Sequence, residues 1–313
     1  MAVYTQLKKP EIVKILKEYN LKLKSFKPEK GGASNSNYLL QTDKGIFMLT
    51  IAEEQTKKEV KQWVKRLRWL AKHQFKTPLS IQTKTGKLVS NFQGKPIIIK
   101  EYLSGYSLTN AKRKHYLEIG AGLAKLNAVP LPEFMKNRMV FDSPVYQSVI
   151  GKNIDPYYEQ WLKSRLEFFK KNMPKKLPKG LVHNDLFLDN VLFENDHFKA
   201  ILDFEDASDF YFIFDVGMAI IGLCFKNEKL KFKRAKAFLE GYQSIRQLKQ
   251  QEKKYLQFFT EYGAVLMSTW RAWKYHIDVP NHERAWKHQE MMRMAKHIQK
   301  MKPKKFLKKL NLE

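Results

Sequence analysis

The run Leu181-Val182-His183-Asn184-Asp185-Leu186-Phe187-Leu188-Asp189-Asn190-Val191-Leu192-Phe193 sets an aspartate, and an asparagine five residues after it, between two apolar stretches. A second carboxylate, Asp203 in Ala200-Ile201-Leu202-Asp203-Phe204, follows 13 residues beyond Asn190. Moving a phosphoryl group onto an alcohol calls for this set of groups in this order. One carboxylate orients the hydroxyl and accepts its proton, and an amide and a second carboxylate hold magnesium against the phosphates. On that chemistry Asp185 is the catalytic base, and Asn190 and Asp203 are the metal ligands. His183 is assigned a structural role, holding the loop backbone by hydrogen bonds. Asp189 is either a further phosphate or substrate contact or a solvated loop carboxylate, the second reading being preferred. A hairpin whose polar turn matched the spacing by chance would also carry these residues. The apolar brackets and the downstream Leu-Asp-Phe argue against it.

The flanking elements must present that loop. Glu11 to Asn20 has helical spacing, with Ile12, Ile15, Leu16 and Tyr19 on one face. A turn-rich Gly31-Gly32-Ala33-Ser34-Asn35-Ser36 precedes two strands, Asn37 to Thr42 and Gly45 to Ala52, joined at Asp43–Lys44. Lys57 to Gln74 reads as an amphipathic helix. Pro96 to Leu103 is apolar and β-branched, hence a strand ended by Ser104–Gly105. Beyond it helices dominate: Lys112 to Asn127, Pro156 to Asn172, Lys229 to Tyr242, Gln251 to Tyr275 and His282 to Met301. Short strands between Gly180 and Phe204 frame the polar loop. The basic tail is expected to fray. The layout is α+β: a small antiparallel-sheet N-terminal lobe, residues 1–103, and a larger, mainly helical C-terminal lobe, residues 104–313.

Composition narrows the function classes. Of 313 residues 43% are hydrophobic, with 21 Phe, 14 Tyr and 6 Trp, enough for a large core. The single cysteine, Cys224, rules out an intramolecular disulfide and suits a reducing, cytoplasmic setting. No charged segment followed by an apolar run opens the chain, so no secretory leader is expected. No stretch reaches the roughly 18 apolar residues of a membrane span. A net charge of +27 raises the question of nucleic acid or anionic membrane. The lysines are scattered, without a long basic tract, so neither partner is expected. The absence of Gly-x-x-x-x-Gly-Lys-Ser/Thr excludes a P-loop enzyme. His276, His282, His288 and His297 lack metal-site partners and are read as surface residues.

The catalytic block resembles the aminoglycoside phosphotransferase and choline kinase superfamily, which has a bilobal protein-kinase-like fold. Within it the likeness is to the homoserine kinase branch, carried also by Met1-Ala2-Val3-Tyr4-Thr5 and by Glu240-Gly241-Tyr242-Gln243-Ser244-Ile245-Arg246. It spans residues 1 to about 275. The resemblance implies ATP and Mg2+ as cofactors. It implies that Ser34, Asn35, Ser36 and Asn37 lie near phosphate, that Glu101 to Leu103 offer backbone groups to adenine, and that Glu59 is a stabilising helix glutamate. It also implies that Asp215, in Phe214-Asp215-Val216-Gly217, braces the catalytic loop.

Three positions depart from the superfamily pattern. Thr50 stands where most kinase folds carry a phosphate-binding lysine, as it tends to in homoserine kinases; Lys44, Lys57 and Lys58 are the nearby cations in sequence. Asn184 replaces a small residue and could re-aim the loop. Glu205-Asp206-Ala207-Ser208-Asp209 is more acidic than homoserine kinases usually are beside the acceptor pocket. Glu205, Asp206 and Asp209 would suit an acceptor ammonium. Arg271 and Lys274 are the candidate partners for an acceptor carboxylate. Homoserine O-phosphorylation is the first expectation. The alternatives are another amino alcohol or an aminoglycoside as acceptor, or an inactive, basic, kinase-like binding protein, against which intact Asp185, Asn190 and Asp203 argue.

Overall fold

The computed structural model describes residues 5–29, 35–137 and 148–313. Ser34 and the glycines before it lie outside the described residues. The chain divides into two compact units, Met1–Gly105 and Tyr106–Glu313.

The first unit is built on a five-stranded antiparallel sheet. Its strands are β1 (Leu23–Glu29), β2 (Asn35–Thr42), β3 (Gly45–Ala52), β4 (Ser90–Phe92) and β5 (Lys95–Glu101), in the order β1-β2-β3-β5-β4. Alternation along the strands gives the sheet two faces. Tyr38, Leu40, Leu49, Ile51, Ile97 and Ile99 form one of them, and α1 (Lys9–Glu18) buries Ile12, Ile15 and Leu16 on it. Strand β1 was not expected, because its lysines and serine obscure the alternation; it is held by pairing with β2. Helix α2 (Lys57–Lys72) packs against β5. Thr56 caps it, its hydroxyl accepting from Glu59 N, while Val60, Trp63, Val64, Leu67 and Leu70 turn inward.

The second unit opens with α3 (Arg113–Asn127) and α4 (Pro156–Asn172). Four short strands follow: β6 (Lys179–Val182), β7 (Val191–Glu194), β8 (His197–Ile201) and β9 (Ser208–Tyr211). Strand β6 pairs antiparallel with β9, and β7 with β8, so the polar loop 183–190 leaves one two-stranded ribbon and enters another. The apolar run after Tyr211 is α5 (Phe212–Cys224), nearly all buried. A hairpin, β10 (Phe225–Lys226) and β11 (Lys229–Leu230), turns through Asn227 and Glu228 at φ 51° and 58°. It leads to α6 (Phe232–Gln243), α7 (Gln250–Trp273), which runs into a π turn over Lys274–Asp278, and α8 (Lys287–Gln299).

Two expectations are corrected here. The basic tail is not frayed: it forms α9 (Pro303–Leu310), with Pro303 in its first turn, Asn311 left-handed at its C-cap, and Phe306 and Leu310 buried four residues apart. Two apolar residues on one helical stripe suffice to dock it while the lysines stay in water. His288 is not a surface residue but 2% exposed, with Nδ1 2.6 Å from the Ala285 carbonyl oxygen and its ring 4.5 Å from that of Tyr158.

Candidate active site

Loop 183–190 is held from three sides by groups that neighbouring elements supply. Asp215, in the first turn of α5, is fully buried and accepts from His183 N and Asn184 N, both at 3.0 Å. It also accepts from Asn127 Nδ2 at 3.0 Å, and the same amide donates to the Leu181 carbonyl at 3.1 Å. Burial pushes the Asp215 carboxyl up, and His183 with these N–H donors opposes that. Asn127 in turn accepts from Tyr242 Oη at 2.8 Å. The Gly241-Tyr242 segment thus has a physical part: α6 reaches the loop through Tyr242, Asn127 and Asp215. Sequence reasoning did not single out Asn127. Its only local signal is an amide at the end of an apolar helix face.

His183 bonds to the backbone through both ring nitrogens. Its Nδ1 accepts from Asp185 N at 3.2 Å, which leaves Nε2 to donate to the Leu202 carbonyl at 2.7 Å. One imidazole therefore ties Asp185 to the residue before Asp203. A backbone bond from Leu202 N to the Asn190 carbonyl at 2.8 Å adds a second tie. Asn184 sits at φ 72°, a left-handed backbone that asparagine tolerates, and its Nδ2 donates to the Asp206 carbonyl at 2.6 Å and to Ser208 Oγ at 2.7 Å. Its larger side chain thus fastens the loop to the acidic segment that follows Asp203.

Helix α5 approaches the loop closely. A Cβ on Gly222 would stand 2.4 Å from the Leu186 carbonyl oxygen and 3.0 Å from Phe187 Cα. Gly222→Ala should cost about 1–3 kcal/mol by overpacking and displace the residue after Asp185. Turnover should fall by about 10- to 100-fold, because a displacement near 1 Å is costly in an aligned site. Thermal melts and steady-state rates on one preparation check this; unchanged turnover would show that the loop does not need this contact.

These restraints gather Asp185, Asp189, Asn190, Asp203 and Asp206. Asn190 Nδ2 donates to the Asp185 carbonyl at 2.8 Å and lies 3.3 Å from Asp185 Oδ2. Burial pushes the Asp185 carboxyl up to about 8, and the charges of Asp203, Asp206 and Asp189 push the same way, against the Asn190 bond. Asp203 is exposed at φ 63°. Mutually repelling carboxylates and an amide whose nitrogen is used inward, leaving its oxygen to a hard cation, are a donor set that fits magnesium. Among the described residues no three His, Cys, Asp or Glu side chains are placed to hold a metal unaided. A site completed by phosphate oxygens and water needs only one or two protein ligands.

The other assigned residues fall differently. Asp209 is 4% exposed and accepts from Lys179 Nζ at 3.0 Å and Asn137 N at 3.1 Å, an internal tie between β9 and β6. Arg271 Nη1 pairs with Glu290 at 2.8 Å, and would have to leave it to meet an acceptor. Lys274 is buried against Asp278 at 2.7 Å. Glu205 is half-buried beside Asp206 in the acidic segment. In the first unit, Ser36 is 1% exposed with its hydroxyl bonded to Glu53, and Asn37 Oδ1 accepts from Thr50 Oγ1 at 2.7 Å. Asn35 is buried at the start of β2. Glu59 Oε2 accepts from Thr56 N and Thr56 Oγ1, both at 2.7 Å, completing the cap of α2. At the end of β5, Glu101 N donates to the Leu79 carbonyl at 2.9 Å, with half-buried Leu103 two residues on.

Residues 25–258 match the model of the phosphotransferase enzyme family. The chain belongs to that family. A homoserine kinase of Caulobacter vibrioides is 32% identical to this phosphotransferase over 277 residues, 85% of this chain and 87% of the relative. A homoserine kinase of Mesorhizobium japonicum is 30% identical over 274 residues, covering 85% and 86%. Among solved structures, a spectinomycin phosphotransferase in complex with ADP and spectinomycin matches with a TM-score of 0.68 at 16% identity, covering 98% of each chain. A microcompartment-associated aminopropanol kinase matches with a TM-score of 0.71 at 16% identity, covering 97% of this chain and 98% of that one. These likenesses establish the protein-kinase-like α+β fold expected from the sequence. The protein is a small-molecule kinase.

Proposed function

We propose that this phosphotransferase uses ATP and magnesium to phosphorylate the hydroxyl of homoserine, a step of threonine biosynthesis, in the cytoplasm. The observation that carries the reading is the braced loop. Asp185 is held against Asn190, and His183 and Leu202 tie that loop to the segment bearing Asp203. Relatives about 30% identical across most of the chain support homoserine as acceptor.

The unit Met1–Gly105 takes the nucleotide, with Asn35 and Asn37 toward the phosphates and Glu101 and Leu103 toward adenine; the Ser36 side chain lies on the other face of the sheet, with Tyr38, and is engaged by Glu53, and Ser34 lies outside the described residues. Asn190 Oδ1 and the Asp203 carboxylate hold magnesium. Bound there, the ion supplies neutralising charge to the phosphoryl oxygens. The acceptor hydroxyl bonds to Asp185, which orients it in line and takes its proton as the new O–P bond forms. Asp206, with Glu205, receives the acceptor ammonium, which also offsets the charge around Asp185. Excluding water from the acid cluster limits loss of ATP to hydrolysis.

ADP release measured with homoserine, choline, ethanolamine and aminoglycosides tests the acceptor. The kcat/KM for homoserine should exceed the others by at least about 100-fold, as expected where buried polar groups must all find partners. A preference for choline or ethanolamine would overturn homoserine and leave the kinase chemistry standing.

A further inference from the structure

Kinase folds meet part of the phosphate charge of ATP with a lysine on the third strand. Here that position is Thr50, which is 1% exposed and spends its hydroxyl on Asn37. The cations adjoining in sequence do not lie beside it. Lys44 occupies the turn between β2 and β3, Lys57 and Lys58 open α2, and all three are exposed.

Strand register supplies a different cation. Strand β3 pairs antiparallel with β5, placing Ile98 opposite Thr50 and Lys100 opposite Met48. Opposed residues share a face, and so do alternate residues of one strand, so Thr50 and Lys100 project from the same side of the sheet. They are diagonal neighbours, a separation of about 7–8 Å that a long side chain spans. Threonine in place of lysine leaves room for that side chain.

Lys100 is half-buried, with Nζ 4.4 Å from the centre of the Trp63 ring of α2. Kinase folds fix their strand lysine with a glutamate from the following helix. Glu59, one turn before Trp63, caps α2 here. An indole face attracts a cation and helps to orient it. The Trp63 indole is 3% exposed, and its Nε1–H is buried with no acceptor among the described residues. A buried N–H that donates and finds nothing is costly. The Lys100 ammonium and the Trp63 N–H are both donors, which an anion would accept.

We propose that Lys100 replaces the missing strand lysine and binds the phosphates of the nucleotide, with Trp63 orienting it. The inference rests on the nucleotide reading given above but not on the acceptor. Binding of magnesium–ADP and of adenosine to the full chain, measured by calorimetry, tests it. Lys100→Met should weaken ADP binding by about 10- to 100-fold, the range of a lost charged hydrogen bond, and leave adenosine binding within about twofold. Lys100→Arg should keep most of the ADP affinity, and Thr50→Lys in the Lys100→Met background should restore part of it. A role confined to packing would lower both affinities together. Equal losses for ADP and adenosine, or Lys100→Met binding ADP as tightly as wild type, would overturn the assignment. A wild-type protein that binds no ADP would instead sink the nucleotide chemistry itself.

Discussion

Asp185→Asn should cut phosphoryl transfer by at least about 1,000-fold, within the range a positioned base contributes, while making the ligand-free protein more stable at alkaline pH. The two effects share one cause. Burial and the charges of Asp203, Asp206 and Asp189 raise the Asp185 carboxyl from an ordinary 3.8 to about 8. A carboxyl raised on folding binds its proton more tightly in the native state. Its contribution to stability is therefore complete below the unfolded value and is lost as pH rises through the folded one. Asparagine keeps the shape and does not ionise, so it escapes that loss. Melting curves of wild type and variant without ligand should coincide near pH 4 and diverge toward pH 8–9, the variant melting higher by on the order of 2–6 °C. Magnesium and nucleotide should narrow the gap, because a bound cation offsets the repulsion. They should also release a proton from the wild type near neutrality, seen by calorimetry in buffers of different ionisation enthalpy, and the variant should release less. A melting difference independent of pH would mean that the carboxyl is not held protonated. Retained transfer would remove Asp185 from the chemistry.

The loop was legible because its chemistry is local. The proposed base and the first proposed ligand fall five residues apart, the second follows 13 residues on, and the apolar brackets that became β6 and β7 announce a polar turn anchored at both ends. Helices α3, α4 and α7 were legible by period. What escaped the sequence is what depends on register and on distant partners. Asn127 gains its role only where α3 ends beside the loop, and Tyr242 reaches it from 115 residues away. Lys100 is 50 residues from Thr50 in sequence yet shares its face through the pairing of β3 with β5. Asp209 reads as a free acid beside the site, but strand pairing sets it against Leu181, where Lys179 and a backbone N–H engage it. Glu59 shows a further limit. A glutamate three residues after a threonine at a helix start is also a capping box, and here the cap claims it.

Asp203 carries the second large effect, and its backbone allows the metal role to be separated from strain. The residue sits at φ 63°, where a Cβ is crowded against the backbone by roughly 1–2 kcal/mol and asparagine is better tolerated than alanine. Both Asp203→Ala and Asp203→Asn remove the charge that would hold magnesium, so both should lower turnover by at least about 100-fold and flatten the magnesium titration. Only the alanine variant should pay for the turn, melting lower than Asp203→Asn. The charge of Asp203 is also the largest electrostatic contribution raising Asp185, after burial. Its loss must therefore lower the Asp185 carboxyl, and both variants should show a shallower fall in ligand-free stability between about pH 4 and pH 8 than wild type. A normal magnesium dependence in both would remove Asp203 from the metal site. Turnover lost in the alanine variant alone would make the position a matter of backbone geometry and leave the ion to other oxygens.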